Sequence, residues 1–179
     1  MNSKADDTIY FWKPEQEDGF LGQWYPSPFT ARTADGEEIH YQNAEQYMMH
    51  HKGLLFAPDS PITASILTTP DVTPRTIKQL GRQIPDFVES EWHEHRFSIV
   101  VDANLLKFTQ DPRLKKLLLD TGDKALVEAS PRDRIWGIGF GKKNAPAQRA
   151  RWGQNLLGKA LMEARERIRI EEQSGVTEV

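Results

Sequence analysis

The stretch Asn43-Ala-Glu-Gln-Tyr-Met-Met-His-His-Lys52 decides how this chain is read. Asn is among the strongest helix N-cap residues, and Gln46 three positions later completes the pattern of a capping box. The spacing therefore predicts a helix opening at Asn43. Glu45 and Lys52 lie seven residues apart, about two turns, so both fall on one face. That gap exceeds the reach of a direct i,i+4 ion pair. Side chains of this length converge instead on a small molecule held between them. A carboxylate for proton transfer beside an amine for covalent chemistry at a carbonyl or imine is an enzyme's pairing. Two charged residues on a solvated helix face show the same spacing, and that is the commoner fate of Glu and Lys. Spacing alone leaves both readings open.

Working outward, 179 residues suffice for one domain with a sizeable core. Hydrophobic residues make up 38% and charged residues 27%, which describes an ordinary globular chain rather than a disordered one. Met1-Asn-Ser-Lys-Ala-Asp-Asp carries no apolar signal region and no apolar run reaches the length of a membrane span, so the expectation is an intracellular, cytoplasmic or nuclear protein with no membrane contact. Cysteine is absent, which excludes disulfides, zinc–thiolate sites and thiol catalysis. A net charge of −3 argues against a dedicated nucleic-acid coat, but not against an enzyme that engages a nucleotide locally. A monomer is expected.

Residues 1–7 read as a disordered tail, 8–172 as a single domain and 173–179 as a loose C-terminal tail. Thr8 to Trp12 reads as a first strand, followed by an aromatic, Gly- and Pro-rich loop from Lys13 to Phe29. A second short strand, Glu37 to Tyr41, leads into the Asn43 helix. Pro61 to Leu67 is a short helix, and Thr73-Pro74 starts another with Thr at the N-cap and Pro at N1. A long helix covers Phe87 to Phe108, with Phe97, Val100, Val101, Leu105 and Phe108 on its apolar stripe. Asp111-Pro112 opens the next, and Gly122 closes it. Ala125 to Val127 and Ile135 to Gly139 read as short buried strands. A last helix runs from about Gln154 to Glu171, with Leu157, Leu161, Ala164 and Ile168 inward and Arg165 to Glu172 solvated. The fold class is α+β, a mainly helical single domain with a small β-sheet.

Several motifs point towards a nucleotide. The spaced glycines of Trp136-Gly-Ile-Gly-Phe-Gly-Lys-Lys143 would let backbone N–H groups approach an anion, although neither the dinucleotide pattern nor a Walker loop is satisfied. A strand edge with tight turns explains the same residues. Asp133, three residues before Trp136, would bind ribose hydroxyls while the ring stacks on a base. In Gly19-Phe-Leu-Gly-Gln-Trp-Tyr-Pro-Ser-Pro-Phe29 the rings either pin the loop to the core or line a pocket, and Trp24 and Trp92 are the candidates for lining. Arg82, after Gly81, suits a phosphate, and equally an exposed helix end; Lys107-Phe108 is similarly ambiguous. His93 and His95 point apart on a helix and His50 and His51 diverge, so no metal site is expected.

Taken in order, Gly19-Phe-Leu, Glu45-x-Tyr47-x4-Lys52, Gly81-Arg82, Trp92, Lys107-Phe108, Thr121-Gly-Asp123, Leu126-Val-Glu128, Asp133-x2-Trp136-Gly-x-Gly139 and Asn155-x2-Gly158-x2-Leu161-Met162 resemble the NADAR (YbiA-like) family from about Tyr10 to Arg165. The resemblance implies a compact, largely helical α+β fold and hydrolysis of N-glycosidic bonds without metal or other cofactor. It implies one of two substrates: ADP-ribose on the amino group of guanine in nucleic acid or nucleotide, or the ribosylamino intermediates of riboflavin synthesis. By matching position it makes Glu45 and Lys52 catalytic. The chemistry expected of them is a Schiff base at Lys52, with direct hydrolysis by Glu45 or Glu128, and Lys52 binding only phosphate, as the competing route. By the same matching it places Asp133, Trp136 and Asn155 at the substrate; Gln23, Trp24, Tyr47, Arg82, Trp92 and Gly137 complete the expected binding set. The chain departs from the family where Leu21-Gly-Gln-Trp24 replaces a common Leu-Ser-Asn, so Gly22 supplies no hydroxyl, and where Met49 and His50 replace small or polar residues. A non-catalytic module that binds NAD or ADP-ribose is the alternative from a different class.

Overall fold

In a computed structural model, residues 7–175 are described, and they divide into two compact units. One unit runs from Gln23 to Gln110; the other comprises the chain up to Gly22 and from Asp111 onward. The expected tails at 1–6 and 176–179 lie outside the described residues. Among those described, no helix is long and apolar enough to cross a membrane.

The unit from Gln23 to Gln110 begins with an antiparallel hairpin, β2 (Phe29–Arg32) and β3 (Glu38–Tyr41), which follow β1 of the other unit in chain order. The sequence reading assigned only β3, because Pro26 and Pro28 disguise the Phe-Thr-Ala-Arg alternation that follows them. Gly36, at φ +91°, makes the turn. The edge of β2 is closed by a side chain: the Gln110 amide accepts from Thr30 N at 2.9 Å and donates to Thr30 O at 2.7 Å. Four helices follow: α1 (Ala44–Phe56), α2 (Pro61–Thr68), α3 (Pro74–Gly81) and α4 (Glu89–Gln110). Ser60 and Thr73 cap α2 and α3, each with Pro in the first turn, as their sequences require. α1 packs on α2, α3 and α4. The core gathers Phe29, Tyr41, Ala44, Tyr47 and Ala103, with Tyr41 and Tyr47 rings edge to face at 5.0 Å.

Beneath that cluster lies a polar pair, with Tyr41 Oη 2.8 Å from His50 Nδ1. Burial drives the Tyr41 phenol well above its usual range, so its hydroxyl keeps its proton beside the imidazole. Burial, then the neighbouring His51, pushes His50 down to about 4. Above pH 6.5 His50 is neutral in folded and unfolded chains alike. Between pH 6.5 and 4 the unfolded chain takes a proton that the folded one refuses, so stability is lost as pH falls through that window. The expected loss is about 2 kcal/mol after partial screening. Urea denaturation of His50→Gln, which keeps a polar partner for Tyr41 but does not titrate, should show a flatter profile than wild type from pH 6.5 to 4. Parallel profiles would reject this assignment.

In the other unit, β1 (Thr8–Phe11) and β4 (Ala125–Glu128) pair in parallel, Thr8 opposite Ala125 and Phe11 opposite Glu128. The small sheet expected from the sequence is therefore two separate two-stranded ones. Asp111 caps α5 (Pro112–Asp120) through Arg113 N and Leu114 N, and Gly122 (φ +58°) ends it as expected. α6 (Leu156–Gly175) packs on β4 through Leu157, Leu161, Ala164 and Ile168, all buried.

Three expectations are corrected here. Residues 173–175 belong to α6 rather than to a loose tail, because Gln173 follows two strong helix formers and Ser174 Oγ donates to Ile170 O at 2.8 Å. Arg165 is buried rather than solvated, its guanidinium donating to Thr121 Oγ1 at 2.7 Å and Lys124 O at 3.0 Å. Ile135 to Gly139 is a loop and not a strand. The carbonyls of residues 134–138 are consumed by the chain before and into α6: Gly153, Gln154, Asn155, Leu156 and Leu157 N–H groups donate in turn to residues 138, 134, 137, 135 and 136.

Candidate active site

α1 carries the candidate chemistry. Asn43 Oδ1 accepts from Gln46 N at 3.0 Å, the expected N-cap. The reciprocal half of the capping box is displaced by one residue, since Gln46 Oε1 accepts from Gln42 N at 2.8 Å. Gln46 also donates to Ile66 O, which fixes the start of α1 on α2. Every residue from Ala44 to His50 is buried. Glu45, in the first turn, is only 6% exposed, so the solvated-face reading of this carboxylate fails.

Glu45 N donates to Gln23 O at 3.2 Å, and the Gln23 side chain accepts from Asn104 Nδ2 on α4 at 3.2 Å. The Gln23–Tyr25 loop thus straps the head of α1 to the tail of α4. Gln23, Trp24 and Tyr25 are each half-buried. Tyr47 stacks on His51 at 3.8 Å within the aromatic core, where packing accounts for it.

Lys52 sits near the other end of α1. Its ammonium donates to Gly81 O at 2.7 Å and lies 4.3 Å from the centroid of the Phe87 ring and 5.8 Å from that of Trp92. Burial first, and the Arg82 guanidinium second, hold Lys52 below the usual lysine range. Arg82 itself is exposed at the end of α3, and Trp92 is buried at 7% exposure. The structure thus brings Lys52, Arg82 and Trp92 together. Lys52 and Glu45 are separated by roughly 10 Å of helix axis.

One residue whose sequence reading was ambiguous is distinctive in the structure. Lys107 on α4 is 1% exposed, and burial pushes its ammonium down to about 7. The signal was in the sequence: the buried stripe of α4 runs Trp92, Arg96, Val100, Asn104, Lys107, Phe108, which places three polar residues at core spacing.

The remaining expected residues belong to the other unit. Asp133 Oδ1 accepts from Ile135 N and Trp136 N, both at 2.9 Å, and so shapes the turn that presents the half-buried Trp136. Gly137 has no room for a Cβ, which would lie 2.9 Å from Glu128 O and 3.0 Å from Asp133 O. Its neighbour Ile138 donates to Glu128 O, so this part of the glycine segment serves β4 rather than an anion. Asn155, at φ +52°, spends its side chain on the backbone of β4, accepting from Glu128 N and donating to Leu126 O, both at 3.0 Å. Lys142 and Lys143 border a cleft of about 410 Å³ that Trp12 and Asp18 also line. Among the described residues no His, Asp and Glu cluster is placed to hold a metal ion.

The model of the NADAR domain matches residues 10–169, nearly the whole chain. The chain belongs to the NADAR family. N-glycosidase R617 of Acanthamoeba polyphaga mimivirus is 44% identical over 148 residues, 82% of this chain and 85% of that protein. N-glycosidase Npun_R5314 of Nostoc punctiforme is 32% identical, covering 90% of this chain and 93% of its own. The chloroplastic riboflavin biosynthesis protein PYRR of Zea mays is 27% identical over 89% of this chain, which spans a quarter of that protein. The NMR structure of E. coli YbiA superposes with a TM-score of 0.72 at 27% identity, covering 94% of this chain and 89% of that one. This NADAR chain therefore has the largely helical α+β fold that its motifs implied.

Proposed function

We propose that this NADAR protein is an N-glycosidase that removes ADP-ribose from the amino group of guanine, in nucleic acid or nucleotide, by way of a lysine imine. The observation that carries the reading is Glu45, a carboxylate held in the first buried turn of α1 beneath the Gln23–Tyr25 loop. Such a group suits proton transfer at a sugar carbon that water must reach. The N-glycosidase names of the mimiviral and cyanobacterial relatives support cleavage of a bond of this class. The cations Lys52 and Arg82, beside the rings of Phe87 and Trp92, suit a pyrophosphate and the nucleoside that carries it. No cofactor is required, since the glycosylamine opens to an imine by proton transfer alone. The protein would act inside the cell, as a monomer.

The relative that acts in riboflavin biosynthesis favours a second reading, a small ribosylamine as substrate. Incubation with an oligonucleotide carrying ADP-ribose on guanine, read by mass spectrometry, separates the two. Loss of the ADP-ribose mass is the expected result. An unchanged oligonucleotide together with cleavage of a ribosylaminopyrimidine would move the assignment to the second substrate. ADP-ribose binding without turnover of either would leave a binding module.

A further inference from the structure

Two lysines in the unit from Gln23 to Gln110 are held below their usual range, and they lie at opposite ends of the same helix pair. Ala44 and Tyr47, at the head of α1, pack with Ala103 near the tail of α4. Lys52, towards the end of α1, lies beside Trp92 in the first turn of α4. The helices are therefore antiparallel, and Trp92 and Lys107 are roughly 22 Å apart along α4. Glu45 shares the Lys107 end. The Gln23 strap confirms that placement, since its carbonyl meets Glu45 N and its side chain meets Asn104, one turn before Lys107 on the same face.

We propose that Lys107, not Lys52, is the amine that forms the imine with the sugar. This rests on the glycosylamine-cleavage reading above. Three observations support it. The Lys107 amine lies 5.6 Å from the centroid of the half-buried Tyr25 ring, in the loop that covers Glu45, and 4.9 Å from that of Phe108. It is fully enclosed at the Glu45 end of the helix pair, and that burial leaves a large uncharged fraction near neutral pH. Beside it, Asn104 Oδ1 is buried with no hydrogen-bond partner among the described residues, an acceptor suited to a sugar hydroxyl.

The chemistry balances without a co-reactant other than water. Protonation of the ring oxygen by Glu45 breaks the bond from that oxygen to the anomeric carbon, which becomes an iminium carbon bonded to the guanine nitrogen. The lone pair of Lys107 adds to that carbon, and a proton passes from Nζ to the guanine nitrogen. The carbon–nitrogen bond to guanine then breaks, its electron pair leaving on the amine, and a lysine iminium remains. Water adds to the same carbon as Glu45 removes its proton. Glu45 passes that proton to Nζ and takes the hydroxyl proton as the carbon–nitrogen bond breaks, so the lysine departs as the free amine, the carbinol becomes the aldehyde, and the aldehyde recloses to the sugar hemiacetal with Glu45 again protonated.

Free ADP-ribose, which opens to the same aldehyde, is the probe. The wild-type full chain would be incubated with it and with cyanoborohydride, and the reduced adduct mapped by peptide mass spectrometry. A single adduct at Lys107, at least tenfold above any other lysine and rising through pH 7, is expected. Lys107→Arg should lose it while melting as a folded chain. An adduct at Lys52, equal labelling of several lysines, or none would overturn the proposal. Failure of the hydrolase reading shows separately, as absence of guanine release from the ADP-ribosylated oligonucleotide; an adduct at Lys107 would then stand without it.

Discussion

Glu45→Gln is expected to lower turnover by roughly 10²- to 10⁴-fold, the range that a positioned proton-transfer group contributes. The loss should fall on kcat and leave KM within a few-fold, because the amide keeps the shape of the side chain and its place under the Gln23 loop. The backbone bond from residue 45 to Gln23 O is also kept, so the thermal midpoint should move by no more than a few degrees. A merely structural carboxylate would give the opposite pattern, a lowered midpoint with turnover per folded molecule unchanged. The reaction needs a proton given to the ring oxygen and later one taken from water, and Gln does neither. Glu45→Asp would place the carboxylate about one methylene short, and partial recovery relative to Gln would show that the charge and not the volume matters. Turnover of Glu45→Gln within tenfold of wild type would remove Glu45 from the mechanism.

The second large effect concerns stability. Gly158 lies at the contact of α6 with β4, and an added Cβ would sit well inside van der Waals distance of Leu126 O and the Asn155 amide. Backbone of a paired strand cannot yield as a flexible side chain can. Gly158→Ala must therefore either lift α6 from β4 or break the two bonds by which Asn155 holds the backbone at Leu126 and Glu128. Both routes cost about 3 kcal/mol, at the upper end of overpacking. For a chain of this size that lowers the melting temperature by roughly 6–12 °C. Alanine is the better helix former, so a midpoint at or above wild type would show that α6 and β4 stand further apart than described.

Local signals carried most of the element boundaries. Asn43, Ser60, Thr73 and Asp111 each cap the helix that follows, and Gly122 ends α5, because capping depends on residues a few positions apart. The failures have the same root. Ile135 to Gly139 has the composition of a buried strand, yet its carbonyls are taken by residues 153–157, partners that no window around the segment contains. Arg165 reads as surface charge until Thr121 and Lys124 are folded beneath it.

The candidate site divides along that line. The sequence by itself determined the family, through motifs in fixed order, and it determined Glu45 as a carboxylate opening a helix. It also determined that Glu45 and Lys52 share a face, because helical periodicity is a local property. Only the tertiary structure decided which amine lies at the carboxylate's end. Periodicity along α1 is silent about the direction in which α4 crosses it. The antiparallel packing sets Lys107 beside the strap over Glu45 and leaves Lys52 at Gly81 and Trp92. The depressed ammonium of Lys107 follows from the same packing, since desolvation is a property of everything that surrounds a group and not of its neighbours in the chain.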